Sequence, residues 1–221
     1  MASRSKDKFY ERIKEINLIQ EMLPESSLNE SGEKRNQEKA INRASVVMLC
    51  SHIEGYVEDI LEEFVEKIRS SRLKSKRIPT ILKVMLCRPG LKSLTNSDQN
   101  ILAKRIPEFI KKYEELWWSE EMMNLENFPE FIRNDWQIGN PWPNVILSYL
   151  EKIGIDDFWD DSNRIIKGDL DTLVDKRNLI AHGHFEATAT KDDVNRYKDS
   201  AIRLVDLLDD AIEKHLENIG K

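Results

Sequence analysis

The chain has 221 residues, 40% hydrophobic and 33% charged, with a formal net charge of −6. That length suits one domain with a sizeable core, and no apolar run approaches the roughly 20 residues that span a bilayer, which excludes a helical membrane protein. Met1 to Arg12 is polar and lacks the apolar stretch of a secretory signal, so the expected location is the cytoplasm.

In chain order, Phe9, Ile13, Ile16, Ile19 or Gln20, and Leu23 step by threes and fours, which predicts a first helix stopped by Pro24. After a short polar stretch a second stripe runs from about Glu33 through Ile41, Ala44, Val47, Met48, Ile53, Val57, Ile60, Leu61, Phe64 and Ile68. It is long enough for the central helix of a bundle, with a charged face opposite. Ile78 to Cys87 reads as a short helix ended before Pro89-Gly90, and Asn96 to Leu116 as another that Pro107 must start, kink or split. Residues 117–143 break the pattern: Trp117, Trp118, Trp136 and Trp142 stand among Pro129, Gly139, Pro141 and Pro143, and the stretch reads as an insertion. Helicity resumes at Pro143 to Ile153, near Asp169 to His182, and from Thr190 to Ile219. Thr190-x-x-Asp193 resembles a capping box. Strand signals are nearly absent, so the expected fold class is all-α.

Cys50 and Cys87 fall inside apolar helical patterns, which predicts buried thiols in a reducing compartment. The four histidines, at 52, 182, 184 and 215, make no H-E-x-x-H, and neither cysteine has zinc-ligand spacing, so no metal and no cofactor is expected. His52 reads as a packed helix-face residue and His215 as a surface residue of the last helix.

Charge is uneven. Between Lys67 and Lys112, 13 basic residues stand against Asp98 and Glu108, a segment of +11 in a chain whose remainder is −17. Attraction for a phosphate backbone would be focused in this tract, with Lys74, Lys76 and Arg77 as candidate RNA contacts; solvated helix faces are the equally ordinary alternative. The five tryptophans fit packing better than base stacking.

The chemically most specific segment is Asp175-Lys176-Arg177-Asn178-Leu179-Ile180-Ala181-His182-Gly183. Arg offers a planar, permanent cation suited to phosphate oxygens, and His changes protonation near neutral pH; together they suffice for RNA cleavage without metal. On a continuous helix, five residues at about 100° each leave the two side chains about 140° apart. Gly183 suits the position just past a helix end, which puts His182 at the last helical position or the cap, free to swing clear. The negative end of the helix dipole there favours the imidazolium, hence a general acid. Alternatively, two chains around a two-fold axis compose the site. The ordinary alternative is an Arg paired with Asp175 or a Glu, and a His capping carbonyls.

Arg177-Asn178-x-x-x-His182 resembles the R-x4-6-H signature of the HEPN superfamily, with a polar residue directly after the Arg. Upstream, Arg43-Ala44-Ser45-Val46-Val47-Met48-Leu49 followed by His52-Ile53-Glu54-Gly55-Tyr56-Val57-Glu58 is similar to the first core helix of the RiboL-PSP-HEPN branch. The resemblance covers about residues 35–70 and 165–219. It implies a helical bundle of the HEPN type, one domain over residues 1–221 in which about 71–165 is an inserted helical and loop region. It also implies a homodimer with the R-x4-H helices facing one another, and a metal-independent endoribonuclease of toxin or defence systems that leaves a 2′,3′-cyclic phosphate and a 5′-hydroxyl. Carried over by residue, Arg177 holds the scissile phosphate, His182 relays the proton and Asn178 orients them, with Glu54 as an accessory residue on the neighbouring helix. His184 is a further accessory candidate by its closeness in sequence alone, or else an exposed loop residue. Partners are then RNA and a cognate antitoxin or defence-system protein. His184 stands where some members carry a modifiable Tyr, which argues against control by that modification. The alternative function is a non-catalytic RNA-binding or dimeric interaction module, or an antitoxin-like or effector-associated subunit.

Overall fold

A computed structural model describes residues 3–23, 32–95, 98–124 and 139–220. The helices are α1 (Arg4–Glu21), α2 (Gly32–Ser70), α3 (Thr80–Thr95), α4 (Gln99–Trp118), α5 (Pro143–Ile153), α6 (Arg164–Ala181) and α7 (Lys191–Gly220). No described helix is long and apolar enough to cross a membrane.

Four of these helices, α1, α2, α6 and α7, pack side by side as the centre of the core, to which α3, α4 and α5 add Leu82, Leu116 and Leu150. Ser3 opens α1 by accepting from the Lys6 N–H at 3.0 Å. From there α1 runs antiparallel to α2: Ser5 meets Glu63, Arg12 meets Asp59, and Gln20 donates to Asn42 and Ser45. Helix α7 runs parallel to α2, since the Tyr56 hydroxyl donates to the Val205 carbonyl at 3.1 Å and Phe64 stacks on His215. Helix α6 is antiparallel to α7, tied by Lys176 to Asp193 and by Ser200 to Asp169. The stripes read from the sequence are buried in α1 (Phe9, Ile13, Ile16), in α7 (Val194, Tyr197, Ala201, Leu204, Leu208, Ile212) and in α2 from Ile53 to Ile68. In the first half of α2 the buried face is instead Asn42, Ser45, Val46, Leu49 and Cys50, while Ala44 is exposed and Ile41, Val47 and Met48 are half-buried. Such burial is the main source of stability in a bundle.

Local signals set several helix ends as expected. Pro143 opens α5, and Gly154, at φ 92°, closes it. The Thr190 N–H donates to Asp193 Oδ2 at 3.0 Å while the Asp193 N–H returns to Thr190 Oγ1 at 3.1 Å, a reciprocal cap on α7. Pro24 lies outside the described residues; α1 ends at Glu21, with Met22 as its cap.

Elsewhere packing overrides the local rule. Helix α3 does not stop before Pro89 but continues through it to Thr95. A Cβ on Gly90 would sit 2.8 Å from the Phe109 ring and 2.9 Å from Tyr113, so the bare glycine lets α4 lie directly on α3, and this contact outweighs the lost helical bond. Helix α4 likewise carries Pro107 inside it, and it starts at Gln99 from an Asp98 cap, while Asn96 lies outside the described residues. Helix α6 begins at Arg164, ahead of the expected Asp169, because Asp160 and Asn163 cap each other's backbone over the turn 161–163.

Two short strands also appear, β1 (Arg72–Lys74) and β2 (Met122–Asn124), paired antiparallel with Leu73 opposite Met123. Three residues carry too little alternation to be read from sequence. Of the aromatic insertion, residues 125–138, Trp136 included, lie outside the described residues. Trp117 and Trp142 are half-buried against the core, and Trp118 is exposed. His215 is not a free surface residue: its Nε2 lies 2.8 Å from the Ile153 carbonyl, where the left-handed Gly154 turns α5 toward it.

Candidate functional site

The C-terminus of α6 is closed by backbone alone. The His184 N–H donates to the Leu179 carbonyl at 3.0 Å, the Gly183 N–H to Ile180 at 3.1 Å, and the His182 N–H to Asn178 at 2.9 Å. This is a Schellman closure, and it needs a left-handed residue just past the cap. Gly183 supplies it at φ 79°. His182 is the cap residue itself and its side chain is exposed, as its spacing from Gly183 predicts.

Arg177 lies earlier on the same helix and is half-buried. The partner it takes is its neighbour: Nη1 donates to Asn178 Oδ1 at 3.1 Å. Its Nε is buried with no hydrogen-bond partner. Facing it from α2 are Cys50 and Glu54. Burial pushes the Cys50 thiol up to about 12; the Glu54 charge adds to the rise and the Arg177 charge opposes it. Burial also lifts the Glu54 carboxyl above the usual carboxylate range, against the pull of Arg177 and with the repulsion of Glu58. Glu54 Oε1, like Arg177 Nε, is buried and unpartnered. Arg177 Nε and Glu54 Oε1 are thus desolvated polar atoms on groups that feel each other's charge, each without a hydrogen-bond partner.

The structure therefore brings together Arg177, Asn178 and Glu54, with His182 on the next turn at the helix end. His184 is close in chain, but its ring is exposed and its carbonyl is what the fold uses: Arg43 Nη1 donates to it at 2.9 Å, to Ala187 O at 2.7 Å and to Phe185 O at 3.5 Å. Arg43 was legible only as part of the α2 segment. No sequence signal ties it to a loop more than 140 positions later. Lys176 is a second missed neighbour, 3.4 Å from Asp193 and over the Tyr197 ring.

Lys74, Lys76 and Arg77 are exposed but are not brought to this cluster. Arg77 reaches the Asn218 carbonyl near the C-terminal end of α7, whereas Lys176 meets Asp193 near its start. The 25 residues between Asp193 and Asn218 span about 38 Å of helix. Lys83, counted in the same basic tract, is buried at 6% exposure beneath Trp117 and donates to Ser75. His52 is half-buried beside Glu15 at 3.4 Å, and burial holds its pKa below the ordinary value.

A small cavity with room for about one water molecule lies between α2, α6 and α7, lined by Ile53, Leu170, Leu173, Tyr197 and Leu204. It is smaller than ligand pockets usually are. Among the described residues no group of three or more His, Cys, Asp or Glu is placed to hold a metal ion.

A family model described as RiboL-PSP-HEPN matches residues 7–214, the middle of the chain included. Comparisons with curated proteins and with solved structures find no match.

Proposed function

The chain belongs to the RiboL-PSP-HEPN family, and on that premise we propose that it is a metal-independent endoribonuclease acting in a toxin or defence role. HEPN domains are often ribonucleases or RNA binders and commonly form dimers. The single observation that carries the reading is the half-buried Arg177, whose Nε has no protein partner, five residues before an exposed imidazole that caps the same helix.

In this mechanism the 2′-oxygen attacks the adjacent phosphorus and loses its proton, the bond to the 5′-oxygen breaks, and that oxygen takes a proton. The products are a 2′,3′-cyclic phosphate and a 5′-hydroxyl. Arg177 meets the charge that grows on the non-bridging oxygens with a planar fork fixed by Asn178. His182 moves the protons. Glu54 balances the Arg177 charge without pairing it away.

A second copy supplies the second proton carrier. Ile165, Gly168, Thr172, Asp175, Leu179 and His182 recur at threes and fours along the exposed face of α6, with Ile165 75% and Leu179 46% exposed. Two such faces laid together bring the two His182 rings toward one axis, so one acts as base and the other as acid.

The test is cleavage of RNA by the purified protein in the presence of a chelator. Products with cyclic phosphate ends, lost in His182→Ala, are expected. Activity that vanishes with the metal contradicts the scheme, and equal RNA binding by wild type and His182→Ala with no cutting by either makes the protein a binding module.

A further inference from the structure

Three residues beyond His182 the chain presents Phe185 at 90% exposure. The ring gains almost nothing from the core, yet its backbone is firmly held. On one side is the Schellman closure; on the other, the Ala187 N–H donates to His184 O at 3.2 Å. Between them a single guanidinium, that of Arg43 on α2, binds the carbonyls of His184, Phe185 and Ala187 at 2.9, 3.5 and 2.7 Å. Converging carbonyls at a helix C-terminus would repel a polyanion, and Arg43 neutralises them where they meet.

The residues around the ring are polar. His182, His184, Glu186 and Thr188 are all exposed. An apolar protein surface closing over Phe185 would have to desolvate these groups, whereas a nucleobase offers an apolar face to the ring and polar edges to its surroundings. Bases are available for such stacking only where RNA is single-stranded or looped.

We propose that Phe185 is a stacking platform for one unpaired nucleobase beside the scissile phosphate, and that Arg43 is the positioning residue that fixes the loop carrying it. The place of the phosphate rests on the ribonuclease reading above; the stacking does not require cleavage.

The probe is a single-stranded 2′-O-methyl RNA, which cannot be cut, together with a set of twins each lacking one base. On the full chain, Phe185→Ala weakens binding on the order of ten-fold and no longer distinguishes the RNA from the twin that wild type binds worst. Phe185→Trp adds fluorescence, relative to wild type, that the RNA quenches. Arg43→Ala reproduces the loss, Phe185→Ala adds little on top of it, and amide exchange at Gly183 and His184 quickens.

Unchanged affinity and no quenching overturn the platform, as does conversion of a dimer to a monomer by Phe185→Ala, which would assign the ring to an interface between copies. An Arg43→Ala protein that keeps the full Phe185-dependent affinity overturns the positioning role. If wild type shows the missing-base penalty but cuts no unmodified RNA, the ribonuclease reading fails and the stacking platform stands.

Discussion

Arg177 combines a permanent charge with a buried, unpartnered Nε, so its removal takes away a preorganised donor rather than a solvated one. Arg177→Ala should lower kcat/KM for RNA cleavage by about two to three orders of magnitude, the usual cost of losing such a donor. Arg177→Lys should restore little, because an ammonium lacks the fork. Glu54 makes a different prediction. Its folded-state pKa is raised by burial, so the folded chain holds the proton to higher pH than the unfolded chain does. The stability this contributes is fully present below the unfolded pKa and lost as pH rises through the folded one. Glu54→Gln should therefore melt higher than wild type at pH 7, and the gain should shrink to nothing in acid; a gap that widens on acidification would reverse the sign. Arg177, Asn178 and His182 were legible because they lie in one short run whose chemistry can be read directly. Glu54 was placed only by resemblance, and Arg43 by nothing local.

At the scale of elements, the caps are the legible part. Gly183 adopts φ 79° and a Cβ there would meet nothing within 4 Å. Gly183→Ala therefore suffers backbone strain alone, about 1–2 kcal/mol by urea denaturation, with Gly183→Asn milder. Gly90 is the opposite case: its cost is steric, since the added carbon would press on Phe109 and Tyr113 at 2.8–2.9 Å. Gly90→Ala should destabilise by about 1–3 kcal/mol, and an unchanged midpoint would show that the α3–α4 packing yields easily. The same residue explains why α3 passes Pro89: the local rule weighs one lost hydrogen bond, and the helix responds to the whole α4 face. The pairing of β1 with β2 was illegible for a related reason, since its partners lie about 50 positions apart.

For the whole molecule, the deciding arrangement is that α6 runs antiparallel to α2 and α7 and leaves one face open. Leu179→Arg, near the His182 end of that face, should give a monomer by sedimentation velocity and lose cleavage together with dimerisation; a fully active monomer would rule out a site shared between chains. The basic tract, net +11 over Lys67 to Lys112, looked in sequence like one surface. In three dimensions Lys83 is buried and Arg77 sits at the far end of α7 from Lys176. What the sequence determined by itself was the helical class, the length of α2, the closing of α6 at Gly183 and the presence of a fixed cation and a titratable ring in one short run. Periodicity, caps and side-chain chemistry are local, written within a few residues of where they act. The tertiary structure alone decided that Glu54 and Cys50 face Arg177, that Arg43 grips the loop behind His182, and that Lys74, Lys76 and Arg77 stand apart. Those juxtapositions depend on the direction and register of packed helices, which the burial of whole apolar faces sets and no short segment encodes.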